Sequence, residues 1–136
     1  MKQYPAKILI AWGEAIKGNN KIEHWLMENG YRELIAFNFA LANYNKARKW
    51  LVENNFPEWL ACAQFIDHDQ KAGEWLKTHK FDVLIRLAQM ARRNKTAELW
   101  LQHHGQREFI VIGHLLADYV DQLEFDQGDI HRSPFK

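Results

Sequence analysis

The fold of this chain is decided by a unit of sequence at residues 45–67, which reads NKARKWLVENNFPEWLACAQFID. Its first part places Ala47, Trp50 and Leu51 at i, i+3 and i+4, one face of an α-helix, with charged residues on the other face. Its second part, residues 57–66, is apolar around most of a helical circumference, so a helix there must be buried on nearly all sides. The unit therefore predicts two short helices, one amphipathic and one buried.

The same unit recurs along the chain with a spacing of 25 residues and no insertion. A Trp-Leu pair marks each copy, at Trp25-Leu26, Trp50-Leu51, Trp75-Leu76 and Trp100-Leu101. We place repeats at about 20–44, 45–69, 70–94 and 95–119, an N-terminal half-repeat at 7–17 and a C-terminal tail at 120–136. Because two short helices cannot bury their apolar faces alone, this tandem array predicts a single all-α domain, a solenoid of about four and a half helix pairs.

Two further columns of the repeat predict how the helices pack. One column is mostly small and runs through the second helix of each unit: Gly13, Asn38, Ala63, Ala88 and Gly113. Small side chains let a neighbouring backbone approach closely, so this column indicates stacked helices. The other column is the tryptophan ladder, which we assign to the buried face because each indole lies next to a leucine. Trp12 and Trp59 in the other helix receive the same assignment.

Residues 18–30, Gly18-Asn19-Asn20-Lys21-Ile22-Glu23-His24-Trp25-Leu26-Met27-Glu28-Asn29-Gly30, resemble the second helix of an ankyrin repeat. Gly18 and Gly30 match both glycines of that family's pattern, and Trp25-Leu26-Met27 match its leucine triplet. The resemblance implies a right-handed, ankyrin-like α/α solenoid that binds partner proteins. The T-P-L-H motif is missing, and 25 residues are too few for a unit of about 33 residues with its β-hairpin. Helical repeats of the HEAT type stay open as relatives.

In the ankyrin-like arrangement, the second helix of each pair lines the concave side of the array. The positions of this helix that are not assigned to the core recur at i, i+4, i+7 and i+11 and form a stripe along one side of it. We hypothesise that this stripe binds a protein or peptide partner, chiefly through Phe39, Gln64, His68, Arg86, Gln89, Arg93 and His114. The alternative is a nucleic-acid-binding helical repeat, whose contacts would be the basic residues of the segment 86–107: Arg86, Arg92, Arg93, Lys95 and Arg107.

Catalytic and metal sites are not expected. The single Cys62 lies among apolar neighbours, and the chain has neither a G-x-G-x-x-G motif nor a Walker-type lysine loop. No two of its seven histidines are spaced i, i+4, a spacing that would favour zinc. The Asp67-His68-Asp69 cluster fits a helix N-cap better than an acid–base site. We therefore expect no enzyme activity, cofactor or metal ion.

Charge is balanced overall but distributed unevenly. The net charge is +1, while residues 71–107 carry an excess of basic side chains and residues 108–136 an excess of acidic ones. This polarity fits an acidic partner, head-to-tail self-association, or an acidic C-terminus folded onto the basic units, and the sequence does not separate the three. Without a signal-peptide core or membrane-spanning run, we expect a cytoplasmic protein that does not contact membranes.

Overall fold

A computed structural model describes residues 1–128, which form nine α-helices and contain no β-strand. The helices are α1 Ala6–Ile16, α2 Asn20–Glu28, α3 Arg32–Leu41, α4 Asn45–Glu53, α5 Pro57–Ile66, α6 Gln70–Thr78, α7 Asp82–Ala91, α8 Lys95–His103 and α9 Arg107–Gly128. None of the helices in this part of the chain has both the length and the hydropathy needed to cross a bilayer. The all-α prediction is confirmed for the described residues.

The turns between helices repeat with the sequence period. Gly18, Asn43, His68 and Arg93 each have a positive φ, between 63° and 105°, and each closes the turn that leads into an even-numbered helix. Asn19, Asp69 and Asn94 then cap α2, α6 and α8 by accepting a hydrogen bond from the backbone N–H three residues on. The predicted capping role of Asp69 is thereby confirmed.

The nine helices form two layers. The inner helices α1, α3, α5, α7 and α9 each pack against the next inner helix, and α1 also packs against α9. The outer helices α2, α4, α6 and α8 each lie against two successive inner helices. The contacts between consecutive helices are consistent with a helical repeat. The two ends of the array meet, however, so the inner layer is a closed ring of five helices rather than an open arc.

The small-residue column explains how the ring closes. A Cβ atom on Gly113 of α9 would lie 2.8 Å from Cβ of Met90 on α7, and one on Gly13 of α1 would lie 3.0 Å from Cδ1 of Leu115 on α9. Met90 and Leu115 occupy the same column of the repeat. The contact that joins the two ends of the chain is thus the contact that joins ordinary neighbours, as the predicted role of small residues requires.

The centre of the ring is filled by aromatic side chains. Trp12 and Trp59 are fully buried, as predicted, with ring centroids 5.4 Å apart in an edge-to-face arrangement, and Phe37 packs against both. The indole of Trp12 donates a hydrogen bond to Asn38. The inner faces of the helices therefore meet in a core and leave no open concave surface in residues 1–128.

The assignment of the tryptophan ladder to the buried face is wrong for Trp25 and holds only in part for Trp50, Trp75 and Trp100, which pack against the edge of the core. The leucine of each Trp-Leu pair is fully buried, but Trp25 is 47% exposed and the other three ladder indoles are half-buried. Adjacent helical positions point about 100° apart, so when the leucine faces the inner layer its neighbour faces the side of the outer helix. There Trp50 stacks on Phe56, and Trp75 and Trp100 stack on histidines.

Residues near both ends of the described part of the chain make hydrogen bonds to α3. At one end, the Tyr4 hydroxyl donates a hydrogen bond to buried Glu33 at 2.7 Å. At the other, residues 120–128, expected to form part of a tail, continue α9, and Tyr119 within that helix donates a hydrogen bond to the backbone oxygen of Asn38. The remaining tail, residues 129–136, lies outside the described residues.

Candidate partner-binding surfaces

The predicted contact stripe lies on the outside of the ring. Because the inner faces are occupied by the core, the stripe positions of the inner helices point into the gaps between neighbouring outer helices. Three of the seven predicted residues, Phe39, Arg93 and His114, line two separate grooves, and the structure does not bring the seven together on one surface. Binding by a single concave face therefore has no matching surface in the described residues.

The first groove, which we call the α2/α4 groove, has a volume of about 290 Å³. Its lining comes from α2, α3 and α4 and consists of Met27, Arg32, Ile35, Ala36, Phe39, Tyr44, Lys46, Ala47 and Trp50. Phe39, one of the predicted contacts, packs edge-to-face on Tyr44 with centroids 5.2 Å apart. The two cations, Arg32 and Lys46, are exposed, whereas the apolar lining is buried or half-buried. The groove is thus apolar with a basic edge.

The second groove lies between α7, α8 and α9 and has a volume of about 460 Å³. It holds two predicted contacts, Arg93 and His114, beside the exposed Leu99. His114 Nε2 lies 2.8 Å from a carboxylate oxygen of Glu98, and Arg93 pairs with acidic residues of α9. These polar side chains satisfy one another, so this groove offers a partner fewer open contacts than the α2/α4 groove.

The other predicted contacts are dispersed. Arg86 donates a hydrogen bond to Gln89 at 3.1 Å, and its guanidinium lies 5.3 Å from the ring centre of Trp100. Gln64 is half-buried on α5. His68 is exposed in the turn before α6, where its positive φ places it. The acid–base interpretation of Asp67-His68-Asp69 finds no support, since Asp69 is used as a cap.

Two of the five basic residues of the nucleic-acid alternative, Arg92 and Arg93, are paired with carboxylates. Arg92 binds Glu124 and the backbone oxygen of Ile66, and Arg93 binds Asp118 and Asp121. The hydrogen bonds that Arg93 donates to Asp121 and Asp118 raise the pKa of Arg93. The acidic side chains of α9 thus fold onto the basic unit, one of the three arrangements that the charge distribution allowed. This pairing weakens the attraction that the basic residues would exert on phosphates.

The histidines that share a repeat column act as helix caps. Nδ1 of His79 donates to the carbonyl of Trp75, and Nδ1 of His104 to that of Trp100, each at 2.8 Å. Asn29 makes the same bond with its side-chain amide in the first repeat. In each case the same carbonyl also accepts a hydrogen bond from the backbone N–H of the column residue, so the side chain adds a second hydrogen bond at the helix end. The column therefore has a structural explanation, which its restriction to Asn and His could have indicated.

Cys62 lies in the core, fully buried on α5, with Sγ 3.5 Å from the backbone oxygen of Leu84. Burial raises the pKa of its thiol far above the ordinary value. A thiol that stays protonated and inaccessible is a packing group. This environment agrees with the interpretation of Cys62 drawn from its apolar sequence neighbours.

Comparisons of the chain with protein-family models, with curated proteins and with solved structures find no match. The functional assignment therefore rests on the surfaces of the chain itself. Sequence reasoning found Phe39 in the α2/α4 groove but missed Met27 and Trp50, which face it from the outer helices. The Trp-Leu pairs could have indicated the position of Trp50. Only one of two adjacent helical residues can face the inner layer, so a tryptophan next to a buried leucine faces a groove instead.

Proposed function

We propose that the protein is a non-catalytic interaction scaffold that binds a segment of a partner protein in the α2/α4 groove. The observation that carries this proposal is the combination of an apolar lining with two exposed cations. Trp50 and Phe39 give the groove large apolar surfaces, and Arg32 and Lys46 stand at its edge. Aromatic residues and arginine are the residue types that contribute most to protein–protein binding.

The chemistry of the groove defines the segment it would accept. Transfer of an apolar side chain from water into the groove contributes about 25 cal/mol for each Å² that is buried. Carboxylates flanking that side chain would lie near Arg32 and Lys46 and would add attraction that salt screens. The preferred ligand is therefore a short peptide segment with a bulky apolar residue flanked by Asp or Glu.

The architectural part of the proposal is a right-handed, ankyrin-like winding of the helix pairs. It is supported by the 25-residue period and by the match of residues 18–30 to the ankyrin pattern. In this proposal, outer grooves take the recognition role that the β-hairpin tips have in that family. The shortened unit leaves those grooves accessible between outer helices.

Selection from a displayed peptide library tests the proposed ligand class. Binders of the wild-type protein should be enriched in an apolar residue next to acidic ones, and Lys46→Glu should weaken them about tenfold or more, as charge reversal at a binding edge does. Lys71→Glu is the matched control, because Lys71 occupies the same column one repeat later and is exposed. Enriched peptides without this pattern, or peptides affected equally by both substitutions, would contradict the proposal.

A further inference from the structure

The ring has five grooves between neighbouring inner helices but only four outer helices to cover them. Helices α2, α4, α6 and α8 cover the four grooves from α1 to α9, and within residues 1–128 no outer helix covers the groove between α9 and α1. The exposed fractions of side chains at equivalent positions of the repeat show this difference. Ile35 of α3, which lies beside α2, is 1% exposed, whereas Ile10, in the same column of α1, is 62% exposed.

We call this uncovered surface the α1/α9 groove. It has a volume of about 230 Å³ and is lined chiefly by aliphatic residues of the two helices: Leu9, Ile10, Gly13, Val111, Ile112 and Leu115. Val111 is 56% exposed. Charged residues stand at both ends, with Arg107 and Glu108 at one and the ion pair of Glu14 and Lys17 at the other. An apolar strip with polar ends is the form that binds an amphipathic helix.

The described chain does not supply a cover for this groove. The period would place a fifth outer helix at residues 120–128, but these residues continue α9. Asp126 also stands in the column where Leu26, Leu51, Leu76 and Leu101 are fully buried. Helix α9 carries residues 120–128 past the groove, and its end lies roughly 20 Å beyond Leu115 at a rise of about 1.5 Å per residue.

The four covered grooves specify what kind of helix fits. Each outer helix has nine residues and buries one leucine completely, with a tryptophan before it and Ile or Ala three residues before the tryptophan. Short turns make each outer helix antiparallel to its inner neighbours. A helix seated the same way between α9 and α1 would end near Arg107, where a cation complements the negative end of the helix dipole. An acidic last turn, as in α2 with Glu28, would strengthen this contact.

We propose that the α1/α9 groove is a docking site for an amphipathic helix of a partner protein, which occupies the position of a fifth outer helix. The partner helix carries an apolar face of the type Ile/Ala-x-x-Trp-Leu and an acidic last turn. This site is separate from the α2/α4 groove and does not depend on it. The Gly13–Leu115 contact at the base of this groove is equivalent to the Gly113–Met90 contact at the base of the covered groove between α7 and α9. The partner helix would therefore lie on a surface of the kind that an outer helix already covers elsewhere in the ring.

A peptide copied from the chain itself tests this site. The peptide has the sequence of residues 19–30 and is stapled on its polar face to hold the helix, which lowers the ordering cost of binding. Titrated into the ¹⁵N-labelled protein, it should shift the amide resonances of Ile10, Gly13 and Val111. Ile10→Glu should weaken binding about tenfold or more, because a carboxylate would be desolvated against the peptide without a partner. Val52→Glu is the control, since Val52 is 58% exposed on α4, away from the groove.

The outcomes separate the possible occupants. Shifts confined to α1 and α9, lost in Ile10→Glu and also in Val111→Glu but kept in Val52→Glu, support the proposal. No shift at those amides, or shifts centred on the α2/α4 groove, overturns it. A dimer in sedimentation that Ile10→Glu converts to a monomer would identify a second copy as the occupant and overturn the proposal. Large shifts of the same amides on deletion of residues 129–136 would assign the groove to the chain's own C-terminus and overturn it equally.

Discussion

The indole Nε1 of Trp12 donates a hydrogen bond to the side-chain oxygen of Asn38, at 2.9 Å, inside the ring. The bond joins α1 to α3, and both residues are buried. Asn38 is the polar member of the otherwise small column. Asn38 stands where the other repeats have a small apolar residue because the buried indole N–H of Trp12 needs a hydrogen-bond acceptor at this position.

We expect Asn38→Leu to lower the free energy of unfolding by about 1–3 kcal/mol, because it leaves a buried indole N–H without an acceptor. Urea unfolding followed by circular dichroism measures the change. Lys21→Ala, at an exposed position of α2, is the control and should alter stability little. Equal midpoints for wild type and Asn38→Leu would show that the hydrogen bond contributes nothing net.

The two glycines of the small column should respond differently to alanine. In Gly113→Ala the new Cβ meets Cβ and Sδ of Met90, both at 2.8 Å, so α7 and α9 must separate, and we expect a loss of about 1–3 kcal/mol. In Gly13→Ala the new atom meets the ends of two flexible side chains, Cδ1 of Leu115 at 3.0 Å and Cδ1 of Ile112 at 3.4 Å. Those ends can rotate away, and alanine favours the helix by up to about 1 kcal/mol, so stability should hold or rise. Thermal unfolding of both variants tests the difference; the reverse order would contradict this packing.

Stability should fall in alkali because of two half-buried phenols, those of Tyr4 and Tyr119. Burial, and second the negative charge that Tyr44 and Glu23 place nearby, raises the pKa of Tyr119 from 10.0 to about 12, and burial also raises that of Tyr4. A phenol with a raised pKa in the folded state holds its proton longer than in the unfolded chain, so its contribution is complete below pH 10 and is lost as pH rises towards about 12. Urea midpoints across this range measure the slope. Tyr119→Phe should have a shallower slope than wild type, and parallel profiles would contradict the assignment.

Cys62 should react only when the ring opens. The thiol is fully buried and its pKa is raised by burial, so both access and thiolate formation are blocked in the folded state. We expect labelling by a chromogenic disulfide reagent to be at least about a hundredfold slower in buffer than in concentrated urea, since reaction requires opening. Cys62→Ala gives the background rate. Rapid labelling without urea would show that α5 is not held in the core.

Several features were predictable because they depend on near neighbours in the chain. The helix periods in residues 45–66 set which side of each segment is apolar, and the buried Leu51 and Trp59 follow from them. The cap at Asp69 follows from the hydrogen-bonding capacity of its side chain. The exposure of Trp25 was not predicted. An apolar pattern shows which side of a helix faces the core, but it does not show how much of that side the neighbouring layer covers.

The sequence by itself determined the helices, their 25-residue repeat and the leucines and small residues that hold the layers together. Tertiary structure alone decided that the array closes, because closure depends on small rotations between successive units that add up until Gly13 meets Leu115. No local pattern encodes that sum. Closure then placed the contact stripe outside the ring, filled the inside with Trp12 and Trp59, and left Ile10 in an uncovered groove. The sequence already predicted five inner helices and four outer ones. Only the closure of the ring turns this difference into an uncovered groove between α1 and α9.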